Sequence, residues 1–192
     1  MFHKKQKHRK RRKFPQHFFS MIISITGFMG VGKSTVSARL AKHLYCKCID
    51  LDKYIEAKEE LSIGEIFRLK GEAYFRAKEE FFLKELLTEN QEKVLVLSLG
   101  GGSLISVTNQ KLIKEKTLCI YLKSTPETMA KRLSSSRKIR PGIEKLTSND
   151  FVKGVEYLFE KRREGYERCS TLVIDVDNCS VKEILSLIIS SI

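Results

Sequence analysis

Gly27-Phe28-Met29-Gly30-Val31-Gly32-Lys33-Ser34-Thr35 follows directly on an apolar run containing Ile22, Ile23 and Ile25. It has the pattern G-x-x-x-x-G-K-[ST], set between a strand-like run and a helix-competent stretch, Val36–Leu44. Each position has a physical reason. Gly27, Gly30 and Gly32 let the backbone turn tightly enough for successive N–H groups to converge on one anion. The helix behind them adds its positive end, and Lys33 supplies a point charge for the outer phosphates. Ser34 offers a hydroxyl to the Mg²⁺ that accompanies a nucleoside triphosphate. A glycine-rich loop alone would be an ordinary turn. With strand, loop, Lys-Ser-Thr and helix in register, Gly30, Val31, Gly32, Lys33, Ser34 and Thr35 are expected to hold the phosphates of ATP.

Four further short apolar runs follow, Tyr45–Leu51, Val94–Leu99, Leu118–Leu122 and Thr171–Val176, alternating with amphipathic stretches. Ser62–Glu89 reads as helical, opened by a capping box at Ser62 and Glu65 and interrupted at Gly71. Ser103–Gln110, Thr125–Leu133, Phe151–Arg168 and Val181–Ile192 read as helices as well. Strands alternating with helices make βαβ units and a parallel sheet. The expectation is a three-layer α/β/α P-loop fold with a five-stranded parallel sheet and a mobile lid. At 192 residues the chain suits one domain, and that domain is placed over 21–192.

Charge has to be located before it is used. Of the net +13, eight charges sit in residues 1–20, where there is no acid, which leaves +5 for Met21–Ile192. Residues 1–20 have no helical or strand period and are expected to be a basic, disordered arm. Their charge would suit nucleic acid, but the moderately basic remainder suits a small anionic substrate. The arm and the run behind it resemble a signal peptide superficially, yet cleavage beyond that run would destroy the phosphate loop. No run of about 18 uninterrupted apolar residues is present, so no membrane span is expected. Cys46, Cys48, Cys119, Cys169 and Cys179 are an odd set without zinc spacing. Reduced thiols in a cytoplasmic protein are expected.

Several residues stand out beyond the loop. Asp50 and Asp52, placed at i and i+2 of a strand end, would both point at the ligand crevice; Asp52 could instead cap the next helix. Arg76 and Glu79 have the spacing of an ordinary i,i+3 helix pair. Gly100-Gly101-Gly102 strips every side chain from a strand's end, which suits a ligand lying against bare backbone. Ser98 stands near the place where a P-loop protein often has an Asp. Ser134–Thr147, with Arg137, Lys138, Arg140 and Gly142, reads as a lid beside the phosphates. The dense end Glu160-Lys161-Arg162-Arg163-Glu164-Gly165-Tyr166 would, as charge alone, be a solvated face.

The string from Arg76 to Leu104, Arg-x-x-Glu followed by Val96-Leu97-Ser98-Leu99-Gly100-Gly101-Gly102-Ser103-Leu104, resembles the signature region of the shikimate kinase family. Asp50-Leu51-Asp52 and Ile63–Arg76 are similar to the family too, and the likeness covers Met21–Ile192. The resemblance implies ATP-dependent phosphorylation of shikimate, with Mg²⁺. It implies that Asp52 holds ring hydroxyls, that Arg76 and Arg162 clamp the carboxylate, and that Gly101 and Gly102 lie against the ring. Asp50 would reach Mg²⁺ through water, with Ser34 bound directly. Lys33, Asp52 and Arg140 would be the catalytic group, and Arg132 a candidate on the adenine side. A guanidinium fork matches a planar carboxylate in a way Lys does not.

This chain departs from the family pattern in two places. Gly142-Ile143 follows Arg140-Pro141 where bulky apolar residues are usual. Glu164-Gly165 precedes Tyr166, so only a four-residue spacing favours Arg162 over Arg163. Rival readings are a kinase for another hydroxy or sugar acid such as gluconate, and a nucleic-acid-binding ATPase suggested by the arm. Nothing suggests the base pocket of a nucleoside-monophosphate kinase. No nucleic-acid or membrane partner is expected, and the chain is expected to be a monomer.

Overall fold

The computed structural model describes residues 21–135 and 151–192. The arm 1–20 and most of the expected lid, Arg140 included, lie outside the described residues. Among them the five apolar runs are strands: β1 (Met21–Thr26), β2 (Lys47–Asp50), β3 (Val94–Ser98), β4 (Leu118–Lys123) and β5 (Leu172–Asp175). They pair in parallel in the order β2-β3-β1-β4-β5. β1 sits in the middle, with Ile23 opposite Val96 on one side and Leu118 on the other. Ile23, Ile25, Leu95, Leu97, Ile120 and Leu122 are wholly buried. That explains why these runs are apolar at every position rather than alternating, since helices cover both faces.

The helices are α1 (Lys33–Leu44), α2 (Leu51–Glu59), α3 (Ile63–Thr88), α4 (Val107–Lys116), α5 (Pro126–Ser134), α6 (Phe151–Cys169) and α7 (Val181–Ser191). Helices α1 and α7 pack together, as do α3 with α4 and α4 with α6. The chain leaves β1 toward β2 in one direction and leaves β3 toward β4 in the other. Right-handed crossovers therefore put the two helix groups on opposite faces. The direction reverses between β1 and β3, and a crevice opens at the carboxyl ends of those strands, where ligands bind in such sheets.

Two local expectations change. β2 stops at Asp50, and Leu51 already begins α2, so Asp50 and Asp52 do not share an extended backbone. Asp50, not Asp52, caps the helix, accepting from the Lys53 amide at 3.3 Å, and Asp52 stands in the first turn. The strand is short because Asp50 offers the helix start a better partner than the sheet edge does. The stretch after the glycines is not one helix. A 3₁₀ turn over Ser103–Ile105 comes first, then Ser106 caps α4. As expected from the sequence, α3 is two helical pieces joined across Gly71 at φ 83°, ψ 168°, a backbone state that a side chain would resist.

Candidate active site

The phosphate side is built at the end of β1. Helix α1 begins behind Gly32, at φ 99°, and Gly32 offers no side chain to its first-turn amides. Those amides therefore face the crevice without a capping acceptor, which is the arrangement that receives an anion. Lys33 Nζ folds back across the loop and donates to the carbonyls of Gly27 (2.8 Å) and Phe28 (3.0 Å). Ser34 Oγ donates to Asp50 Oδ2 at 2.7 Å. A hydroxyl and a carboxylate in contact at the loop's mouth are hard oxygen donors of the kind Mg²⁺ takes beside phosphate. Arg132, from α5, lines the same cleft.

The acceptor side is organised by Arg76. Its guanidinium donates to Glu79 Oε2 at 2.7 Å and to Glu72 Oε1 at 3.1 and 3.2 Å. Glu79 is 1% exposed, so this is no surface pair. Burial by itself would push the Arg76 pKa down; the charge of Glu79 and the bonds to both carboxylates outweigh it and raise it. Glu79 keeps its second oxygen for Ser103 Oγ at 2.6 Å. Arg76 is thus a permanently charged group held between two carboxylates where it lines the cleft.

The three glycines turn out to serve the protein's own side chains. A Cβ on Gly102 would lie 2.7 Å from the Arg76 guanidinium, and one on Gly100 would lie 2.5 Å from Asp52 Oδ1. At Gly101 a Cβ would approach the Met29 amide of the phosphate loop to 3.2 Å. The bare backbone therefore lets the acceptor residues and the phosphate loop meet at one strand end. From α6, Arg162 donates to the Gly101 carbonyl at 3.3 Å and stacks over Phe28 at 5.4 Å. Arg163 pairs with Glu160 at 3.0 Å on the exposed side of the same helix.

One cleft of about 670 Å³ joins both sides. Gly30, Gly32, Lys33, Ser34, Thr35, Asp50, Asp52, Arg76, Gly101, Gly102, Arg132 and Arg162 all line it. Val31 is buried within the loop beside them, and Arg140 lies outside the described residues. The sequence profile of a family described as shikimate kinase matches residues 29–192. A shikimate kinase of Alkaliphilus oremlandii is 42% identical over 170 residues, 88% of this chain and 98% of that protein. The chain belongs to the shikimate kinase family. A solved shikimate kinase of Acinetobacter baumannii, in complex with shikimate, superposes with a TM-score of 0.82 at 27% identity, covering 91% of this chain and 93% of that one. The corresponding enzyme of Bacteroides thetaiotaomicron gives 0.77 at 27% identity, over 88% and 98%.

Beside the residues given a role from the sequence, the site holds others to which it gave none. Phe67 and Phe75 line the cleft and pack at 5.0 Å between ring centres, forming its apolar wall. Glu72 is the second acceptor for Arg76, and Ser103 the second donor to Glu79. The Tyr166 hydroxyl donates to the Gly101 carbonyl from full burial, and desolvation raises its pKa. The only trace of these in the sequence is spacing: Glu72 lies four residues before Arg76, and Ser103 closes the glycine run. Among the described residues no helix is long and apolar enough to cross a membrane, and all five cysteines are free thiols.

Proposed function

We propose that the chain transfers the terminal phosphoryl group of ATP to the 3-hydroxyl of shikimate, yielding shikimate 3-phosphate and ADP. One observation carries this reading: the Arg76 fork, buried against Glu79, opens beside Arg162 into the cleft that holds the phosphate loop. Two guanidinium groups converging beside bare backbone suit a small acceptor with a planar carboxylate. An acceptor bearing hydroxyls alone would leave that cradle unused. In the reaction the acceptor oxygen bonds to the γ-phosphorus while the bond from phosphorus to the β–γ bridging oxygen breaks.

The roles follow from position. Arg76 and Arg162 fix the acceptor by its carboxylate, and Asp52 orients the ring hydroxyls. Asp52 is also placed to accept the proton that the hydroxyl loses. Phosphoryl transfer runs through a loose transition state, so orientation and charge matter more than a strong base. Lys33 swings from the loop carbonyls to the phosphates, and the α1 amides cradle them. Ser34, with Asp50 behind it, would hold Mg²⁺, which supplies charge neutralisation when bound. Arg140, assigned from sequence, serves as a further phosphate cation, and Arg132 faces the nucleotide. Every residue in these roles comes from one chain, so a monomer is the proposed working unit, acting in the cytoplasm.

A coupled assay of ADP release over shikimate, gluconate, other hydroxy acids and a nucleoside monophosphate tests the proposal. ADP release should be strong with shikimate and at background with the rest. Preference for gluconate would move the assignment to a sugar-acid kinase. Stimulation by an oligonucleotide alone would favour a nucleic-acid-dependent ATPase.

A further inference from the structure

Helix α3 supplies acceptor-side residues from both of its pieces. Phe67 stands before the Gly71 break, and Phe75, Arg76 and Glu79 stand after it. The angle at Gly71 therefore sets the distance between Phe67 and the Arg76 guanidinium. Glycine fixes no angle by itself, so something else must hold it.

The holder comes from α2. Glu59, the last residue of α2, has a side chain only 7% exposed. Its Oε2 accepts from Lys70 Nζ at 3.1 Å and from the Tyr74 hydroxyl at 2.6 Å, and its Oε1 pairs with Lys78 Nζ at 2.9 Å. Lys70 precedes Gly71; Tyr74 and Lys78 follow it. Both ammonium groups also lie over the Tyr74 ring, at 4.5 and 5.4 Å. One carboxylate thus ties both pieces of α3 to α2, while Phe67 and Phe75 meet across the bend at the cleft. The other polar ties between α2 and α3 each reach one piece: Glu56 Oε1 accepts from the Ile63 amide at 3.0 Å before the break, and the Tyr54 hydroxyl donates to Glu85 at 2.5 Å after it. Neither spans Gly71 by itself, as the Glu59 carboxylate does.

We infer that Glu59 is a positioning residue for acceptor binding: by joining Lys70 to Tyr74 and Lys78 across Gly71, it fixes Arg76 relative to Phe67. The inference rests on the acceptor reading above for the identity of the ligand, and on geometry alone for the bend.

The test compares Glu59→Gln with Tyr54→Phe in the full chain. Both variants lose an α2–α3 tie and should melt lower than the parent. Only Glu59→Gln should raise KM for shikimate, by roughly tenfold, as expected for residues coupled through one network. Its kcat and its KM for ATP should stay within about twofold. Hydrogen exchange at the amides of residues 66–76 should speed up in Glu59→Gln and not in Tyr54→Phe. If Glu59→Gln does not fold, Lys70→Met and Lys78→Met, which each cut one arm, should show the same KM effect in smaller measure. Equal KM values for shikimate in both variants, with unchanged exchange at the bend, would overturn the inference. If the parent protein ignores shikimate, the acceptor reading fails by itself, and the exchange comparison still decides whether Glu59 holds the bend.

Discussion

Lys33 and Arg162 enter the cleft from opposite sides, and each has a neighbour that makes its role testable. Lys33 rests on two loop carbonyls, so Lys33→Ala loses the phosphate cation and two hydrogen bonds together. Turnover should fall by at least roughly a hundredfold, the scale for removing one preorganised charge stabiliser. The two lost bonds, at about 1 kcal/mol each, lower the melting temperature by only several degrees. A steady-state assay beside a thermal melt checks both halves. At the other end, successive helical residues are rotated by about 100°, so adjacent arginines serve different surroundings. Arg162→Leu should raise KM for shikimate by more than tenfold, and Arg163→Leu, which removes only an exposed pair with Glu160, should leave it alone. In the sequence only the four-residue spacing to Tyr166 favoured Arg162, because neither charge nor composition separates neighbouring arginines. The register of α6 against Gly101 does.

At the scale of elements, the glycine run after β3 shows what a sequence exposes and what it hides. That three side chains had to be absent was legible; that the space belongs to Asp52, Arg76 and the phosphate loop was not. Gly102→Ala would force its Cβ onto the Arg76 guanidinium, and should raise KM for shikimate with little change in KM for ATP. Kinetics with each substrate varied in turn will show whether the loss is so divided. The Asp50 and Asp52 pair was misread as one strand face because helix capping competes with strand extension at a sheet edge, and the cap won. The capping box at Ser62 and the break at Gly71 were readable, being local.

The same bend gives an acid-side prediction. Hydrogen bonds from Tyr74 and then Lys78 hold the Glu59 carboxyl down from 4.5 to about 2. A carboxylate with a depressed folded pKa stabilises the protein above its unfolded pKa and loses that contribution as pH falls toward the folded value. The stability gap between the parent and Glu59→Gln should therefore be flat near neutral pH and shrink between pH 4.5 and about 2. Denaturant melts across that range measure it.

For the whole molecule, the alternation of strands and helices announced a parallel α/β sheet, since period and length are properties of short windows. The strand order β2-β3-β1-β4-β5 was not legible, because it depends on pairings between residues far apart in the chain, such as Lys47 with Leu95 and Ile23 with Leu118. Nor was the meeting of Arg76 with Arg162 in one cleft, except through family likeness. β1 pairing begins at Met21 itself, whose amide donates to the Lys93 carbonyl at 2.9 Å. A chain starting at Met21 should therefore keep the melting temperature and kcat/KM of the full chain. Loss of activity on that truncation would make residues 1–20 part of the site.

The account stands on an acceptor held by its carboxylate, and one kinetic comparison reaches that claim directly. kcat/KM is measured for the parent and for Arg76→Leu, each with shikimate and with the analogue whose carboxylate is a neutral carboxamide. Removing one member of a desolvated charge pair costs about 2–5 kcal/mol, roughly thirtyfold to a few thousandfold in efficiency. The parent should lose that much on going to the carboxamide, and Arg76→Leu should lose as much with shikimate. Between the two acceptors Arg76→Leu should discriminate little, a ratio that holds even if the unpaired Glu79 lowers the folded fraction. An Arg76→Leu variant that keeps the parent's preference for the carboxylate would contradict the clamp, and with it shikimate as the substrate.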